Sequence, residues 1–155
     1  MSTRWAAPSG AVVLHTNVLS GLMRSTPDAR VRQWARAVPP DLVHTTSVSL
    51  AEILFGIARL PMGGRRDLLT AAADEVFTMF AGRVLPFDSA AAHRYADVVM
   101  ERQRVGAPIS GFDAQIAAIC RAHGAALATR NADDFSGLGL GLIDPWLARS
   151  EADHP

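Results

Sequence analysis

Short apolar runs alternate along this chain with longer stretches of helical period, and that alternation restricts the fold more than any other property. Val12, Val13 and Leu14 form an apolar core, after which Thr16-Asn17 supplies turn and N-cap chemistry ahead of Val18, Leu19 and Leu22. A second helix follows Thr26-Pro27-Asp28, with Pro27 in its first turn. Residues 42–44 give a second strand after the break at Pro39-Pro40-Asp41. Leu50, Ile53, Leu54, Ile57 and Leu60 then recur at three- and four-residue spacing up to Pro61.

Leu68, Ala72, Val76 and Phe80 carry the next helix, closed by Gly82, and residues 84–87 give a third strand. Asp88 or Ser89 caps a helix over 90–105. Ser110-Gly111-Phe112 opens another through Ile116 and Ile119, which Gly124 stops. Residues 125–128 and 140–143 complete the strands. The pattern predicts an α/β domain of three layers, α/β/α, around a central, mainly parallel sheet of four to five strands.

A length of 155 residues fits one domain with a sizeable core. We expect it to span 11–147, with an N-terminal extension at 1–10 and a frayed tail at 148–155. No apolar run approaches the roughly 18 residues of a membrane span, and the N-terminal stretch is too short and interrupted for a signal-peptide core. The single cysteine, Cys120, lies in a helical pattern among Ile116, Ala117 and Ile119 and reads as a small core residue. These features lead us to expect a cytoplasmic protein. Formal net charge is zero, so any contact with nucleic acid must be local. All fifteen basic residues are Arg. That excludes a P-loop lysine, a Schiff-base lysine and a Ser-Lys dyad, and leaves the better bidentate phosphate binder.

In a parallel sheet, ligands sit beyond the carboxyl ends of the strands. His15, Glu52, Asp113 and the cluster Asn131-Ala132-Asp133-Asp134 stand there. Each also has a structural role open to it. Ser49-Leu50-Ala51-Glu52 is a capping box, Ser110-Gly111-Phe112-Asp113 a close variant, and Asn131 can cap a turn through Asp134. Their joint placement points beyond capping, because carboxylates gathered in one cleft repel one another and hard cations such as Mg²⁺ or Mn²⁺ relieve that repulsion. A metal held so activates water and stabilises charge on a phosphodiester.

Four blocks carry a family resemblance. They are Val12-Val13-Leu14-His15-Thr16-Asn17; Ser47-Val48-Ser49-Leu50-Ala51-Glu52-Ile53; Ile109-Ser110-Gly111-Phe112-Asp113-Ala114; and Thr129-Arg130-Asn131-Ala132-Asp133-Asp134-Phe135, closing with Asp144-Pro145-Trp146. In this order, over nearly the whole chain, they resemble the PIN domain, in particular the VapC and FitB-like toxins of prokaryotic toxin–antitoxin pairs. The resemblance implies a PIN-like fold and a Mg²⁺- or Mn²⁺-dependent endoribonuclease acting on structured RNA. It also implies a cognate VapB-like antitoxin that inserts a peptide into the active-site groove, and homodimers that build larger complexes with it. Carried across by motif, Glu52 and Asp113 match two family acids. Asp134 matches the fourth if the Asn-x-x-Asp-Phe spacing is followed, Asn131 takes that place in other members, and Asp133 is a possible substitute. Thr16 and Asn17 match the polar residues that orient the first acid and hold metal-bound water. Arg130 is the best single phosphate contact, while Arg65, Arg66, Arg102 and Arg104 either extend a basic rim or lie on solvated helix surface.

His15 departs from the pattern, because the family has Asp there. Imidazole offers one nitrogen in place of carboxylate oxygens and no negative charge when neutral. Mg²⁺ is a poor match for it, whereas Mn²⁺ or Zn²⁺ accept it more readily. Low or absent Mg²⁺-dependent cleavage is therefore expected. Three origins account for the residue: a deliberate or selected inactivating change, natural loss in a protein kept for antitoxin binding, or a site retuned to a softer metal. The alternative to a nuclease is a non-catalytic module of the same fold that sequesters the antitoxin. A phosphatase on a similar sheet is disfavoured, since His15 removes the Asp nucleophile it would want after strand one.

Overall fold

The computed structural model describes residues 10–148. Most of the expected extension and tail, with His154, lies outside the described residues. Five strands form one parallel sheet in the order β3-β2-β1-β4-β5. The strands are β1 (Val12–Leu14), β2 (Val43–Thr46), β3 (Val84–Leu85), β4 (Ala126–Ala128) and β5 (Leu142–Ile143). The helices are α1 (Thr16–Leu22), α2 (Ala29–Ala37), α3 (Ser47–Ala58), α4 (Gly64–Met79), α5 (Ser89–Arg104) and α6 (Gly111–His123).

Alternation along the strands sends side chains to two separate cores. Val12, Leu14 and Ala128 face a cluster built with Val18, Leu19, Trp34 and Ile53. Val13 and Leu127 face the other, with Val98, Ile116, Ile119 and Phe135. Strands covered on both sides read as unbroken apolar runs, which is why β1 lacks a polar alternate residue. Register follows from the ladders, with Leu14 opposite Ala128 and Val13 opposite both Leu127 and His44.

The boundaries differ from expectation where polar side chains find backbone partners. β2 runs to Thr46 rather than ending at His44, because Thr45 donates its hydroxyl to Leu14 O at 3.1 Å and Thr46 caps α3. Both threonines are buried, yet neither is left unpaired. Pro27 precedes α2 rather than sitting in its first turn, and Asp28 is the cap, accepting from Arg30 N–H. Asp88 caps α5 by the same means. Gly124 ends α6 at φ 60°, a left-handed conformation that costs a side-chain-bearing residue. The helix α4 forms as its spacing predicts, but Leu68 is 74% exposed and Ala73 faces the core.

Leu127 is wholly buried in β4, between β1 and β5. Leu127→Ala is expected to lower the free energy of unfolding by about 2–5 kcal/mol through lost burial and a residual cavity. Leu68→Ala, on exposed surface, should move it by no more than about 0.5 kcal/mol. Urea titrations followed by circular dichroism compare the two.

Candidate active site

His15 stands at the carboxyl end of β1, where its N–H extends the ladder to Ala128 O at 2.9 Å. The chain turns there into α1, and His15 itself is the N-cap. Its Nδ1 accepts from Asn17 N–H at 3.4 Å, so the ring proton belongs on Nε2. That Nε2–H donates to Asp113 Oδ1 at 2.9 Å. The imidazole is 7% exposed and lies edge-to-face against Phe135, with ring centroids 5.4 Å apart.

Asp113 comes from the first turn of α6. Ser110 caps that helix through Asp113 N–H, while the Asp113 carboxylate turns away to His15 instead of closing a capping box. Glu52 likewise does not cap. The α3 cap is Thr46, so α3 begins at Ser47 and Glu52 falls in its second turn rather than its first. Thr16 Oγ1 lies 2.9 Å from both Glu52 Oε1 and Ser49 Oγ. A hydroxyl has one proton, and an ionised carboxylate only accepts, so Thr16 donates to Glu52 and receives the Ser49 proton.

Asn17 ties this corner to the end of β4. Its Nδ2 donates to Thr129 Oγ1 and its Oδ1 accepts from Arg130 N–H, each at 3.2 Å, and Thr129 Oγ1 also accepts from Asn131 N–H at 3.1 Å. Asn131 heads a 3-10 turn (Ala132–Phe135) without a side-chain cap bond, its carbonyl receiving Asp134 N–H. Asp133 and Asp134 are exposed on that turn, which Phe135 anchors from within the core.

Arg102 holds the same turn from behind. Expected on a basic rim or solvated surface, it is buried at 7% exposure, and its Nη1 donates to Ser136 O at 2.9 Å and to Ser136 Oγ at 3.1 Å. A long amphipathic side chain near a helix end looks solvated in sequence; the neighbouring turn, distant in sequence, supplies the carbonyl acceptors. Sequence reasoning also passes over Ser49, Thr129 and Arg24. The two hydroxyl residues lie within the quoted blocks, where only burial marks them as network members.

A cleft of about 590 Å³ opens beside these groups, lined by His15, Thr16 and Glu52 together with Arg24, Arg130 and Trp146. The arrangement does not fit a hard divalent cation. Both His15 nitrogens are committed, one Asp113 oxygen takes an N–H, and Glu52 is held by Thr16. Among the described residues, no three His, Cys, Asp or Glu side chains form a group able to hold a metal ion.

The fold and site together define an α/β domain with polar chemistry at the carboxyl edge of a parallel sheet. The PIN domain family matches residues 12–139. Over 136 residues the chain is 39% identical to the VapC ribonuclease Y4jK of Sinorhizobium fredii, covering 87% of this chain and 97% of that relative. It is 31% identical to Toxin FitB of Neisseria gonorrhoeae, covering 87% and 98% respectively. The crystal structure of FitAcB from Neisseria gonorrhoeae superimposes with a TM-score of 0.80 at 31% identity, covering 87% of this chain and 98% of that one. This chain belongs to the PIN domain family. Among its described residues, no helix is long and apolar enough to cross a membrane.

Cys120 takes no part in this site. Burial pushes its thiol up to about 12, so the thiolate is negligible near neutrality. The folded protein should remain inert to a thiol-specific chromogenic reagent at mildly alkaline pH and react fully once denatured, as stopped absorbance traces would record.

Proposed function

We propose that this chain is the toxin member of a toxin–antitoxin pair, a PIN ribonuclease scaffold whose cutting centre His15 holds closed. Likeness to a VapC ribonuclease and to Toxin FitB, nearly end to end, supports the toxin and nuclease parts of this reading. The single observation that carries the closed site is the His15 Nε2 to Asp113 Oδ1 hydrogen bond. An Asp at position 15 would present two anionic oxygens towards Asp113 and leave their repulsion for Mg²⁺ or Mn²⁺ to relieve. The imidazole instead donates a hydrogen bond to Asp113, so position 15 brings no carboxylate to draw such a cation and one Asp113 oxygen is already engaged.

The remaining machinery is consistent with a scaffold one residue away from function. Glu52, Asp113 and Asp134 are the acids we assign to the centre, Thr16 and Asn17 support it, and Asn131 and Asp133 flank it. The substrate is RNA, and the partner is an antitoxin of the VapB kind, with a homodimer as the unit that assembles with it. A non-catalytic module that sequesters antitoxin is the second reading, and the same hydrogen bond favours it. The two differ in whether the acids still work once His15 is removed.

Purified chain and His15→Asp, each incubated with labelled transfer RNA and Mg²⁺ or Mn²⁺, separate these readings on denaturing gels. The chain itself should cleave weakly or not at all, and His15→Asp should gain on the order of 10–100-fold or more. Equal activity in the two proteins would overturn the closed site. Inactivity of both with either metal would overturn the nuclease scaffold and leave the binding module.

A further inference from the structure

Besides Glu52, the cleft is lined by basic and aromatic groups. Arg24 and Arg130 both line it, and neither guanidinium has a carboxylate partner among the described residues. Arg130 is nevertheless held in place. Asn17 Oδ1 accepts from its backbone N–H, and its guanidinium lies 4.9 Å from the centre of the Trp146 ring. Trp146 is in turn admitted by Gly21, where a Cβ would meet indole Cζ2 at 3.2 Å. Arg24 lies just beyond the C-cap of α1 and lines the same cleft as Thr16 and Ser20.

We propose that Arg24 and Arg130, with Trp146 as the stacking platform, form a phosphodiester clamp for single-stranded RNA that works without a divalent cation. The inference rests on the RNA reading above and deepens it, assigning a binding role to the basic and aromatic residues that line the cleft. Guanidinium forks match phosphate oxygens in a bidentate manner, and a stacked guanidinium loses little freedom on binding. Its exposed plane, backed by indole, also offers a surface on which an unpaired base stacks. Those features favour a nucleotide chain over an isolated protein carboxylate, which has no base to stack. With His15 in place of an acid, Glu52 is the one cleft-lining carboxylate against two free guanidinium groups, so an anion enters without a counter-ion to screen it.

Fluorescence anisotropy of a short fluorescein-labelled oligouridine, titrated in EDTA across a salt series, tests the clamp. The unaltered chain should bind. The double variant Arg24→Ala, Arg130→Ala should weaken binding about tenfold or more and reduce the slope of log affinity against log salt by about 1.4, two phosphate contacts at about 0.7 each. Arg130→Lys keeps the charge but loses the planar stack, so it should weaken binding while leaving the salt slope nearly unchanged. Unchanged affinity and slope in the double variant would overturn the clamp. So would absence of RNA binding by the unaltered chain, or preferential binding of a labelled polyglutamate peptide that depends on the same arginines. His15 is untouched and no metal is present, so this result is independent of cleavage. Cleavage by His15→Asp with unmoved RNA affinity in the arginine variant would discard the clamp and keep the nuclease scaffold.

Discussion

Parallel pairing of β1 with β2 and β4 is the constraint on which the rest of the structure depends. Because both faces of these strands are buried, a polar side chain is admitted only where a partner satisfies it, as Leu14 O does for Thr45, and most such partners lie where the strands end. Parallel register brings all those ends to one edge. His15 and Thr129 follow the last residues of β1 and β4, Thr46 ends β2, and each accepts a backbone N–H from the turn or helix that begins there. The cleft is thus a by-product of satisfying backbone and side-chain hydrogen bonds at the sheet edge, supplied with functional groups from three helices.

His15 makes that edge self-sufficient. Carboxylates drawn together need an outside charge to remain close, whereas an imidazole N–H beside Asp113 supplies the favourable contact from within the chain. Phe135 packs edge-on against the same ring, so the turn bearing Asp133 and Asp134 is fixed through a nonpolar contact instead of through an ion. Arg102 adds hydrogen bonds to Ser136 from the opposite side. Order in the acidic turn comes from these anchors, and its carboxylates stay out in solvent.

Much of this was legible in the residues. The spacing of Val18, Leu19, Ile53, Ile57, Ile116 and Ile119 marks helices, and the runs at β1 and β4 mark buried strands, because apolar periodicity records burial directly. Motif order singled out Glu52 and Asp113, although α6, which carries Asp113, follows α5 and not a strand. The sequence misled where a side chain had two possible partners. Ser49 with Glu52 satisfies the spacing of a capping box, yet Thr46 starts the helix one turn earlier and Thr16, far away in the chain, takes Glu52. Arg102 has the flanking charges of a surface residue and is buried all the same.

The sequence by itself determined the layered α/β architecture, the strand ends as the place to look for chemistry, and His15 as the departure from the pattern that the resemblance implies. These are local properties, written in periodicity and in the identity of single residues. Only the tertiary structure decided which nitrogen of His15 faces Asp113, that Asp113 accepts its hydrogen bond, and that Gly21 admits Trp146 beneath Arg130. The His15–Asp113 and Gly21–Trp146 contacts join residues about a hundred positions or more apart. No spacing rule reaches so far; they are set by strand register and core packing, which orient each side chain only when all the others are in place.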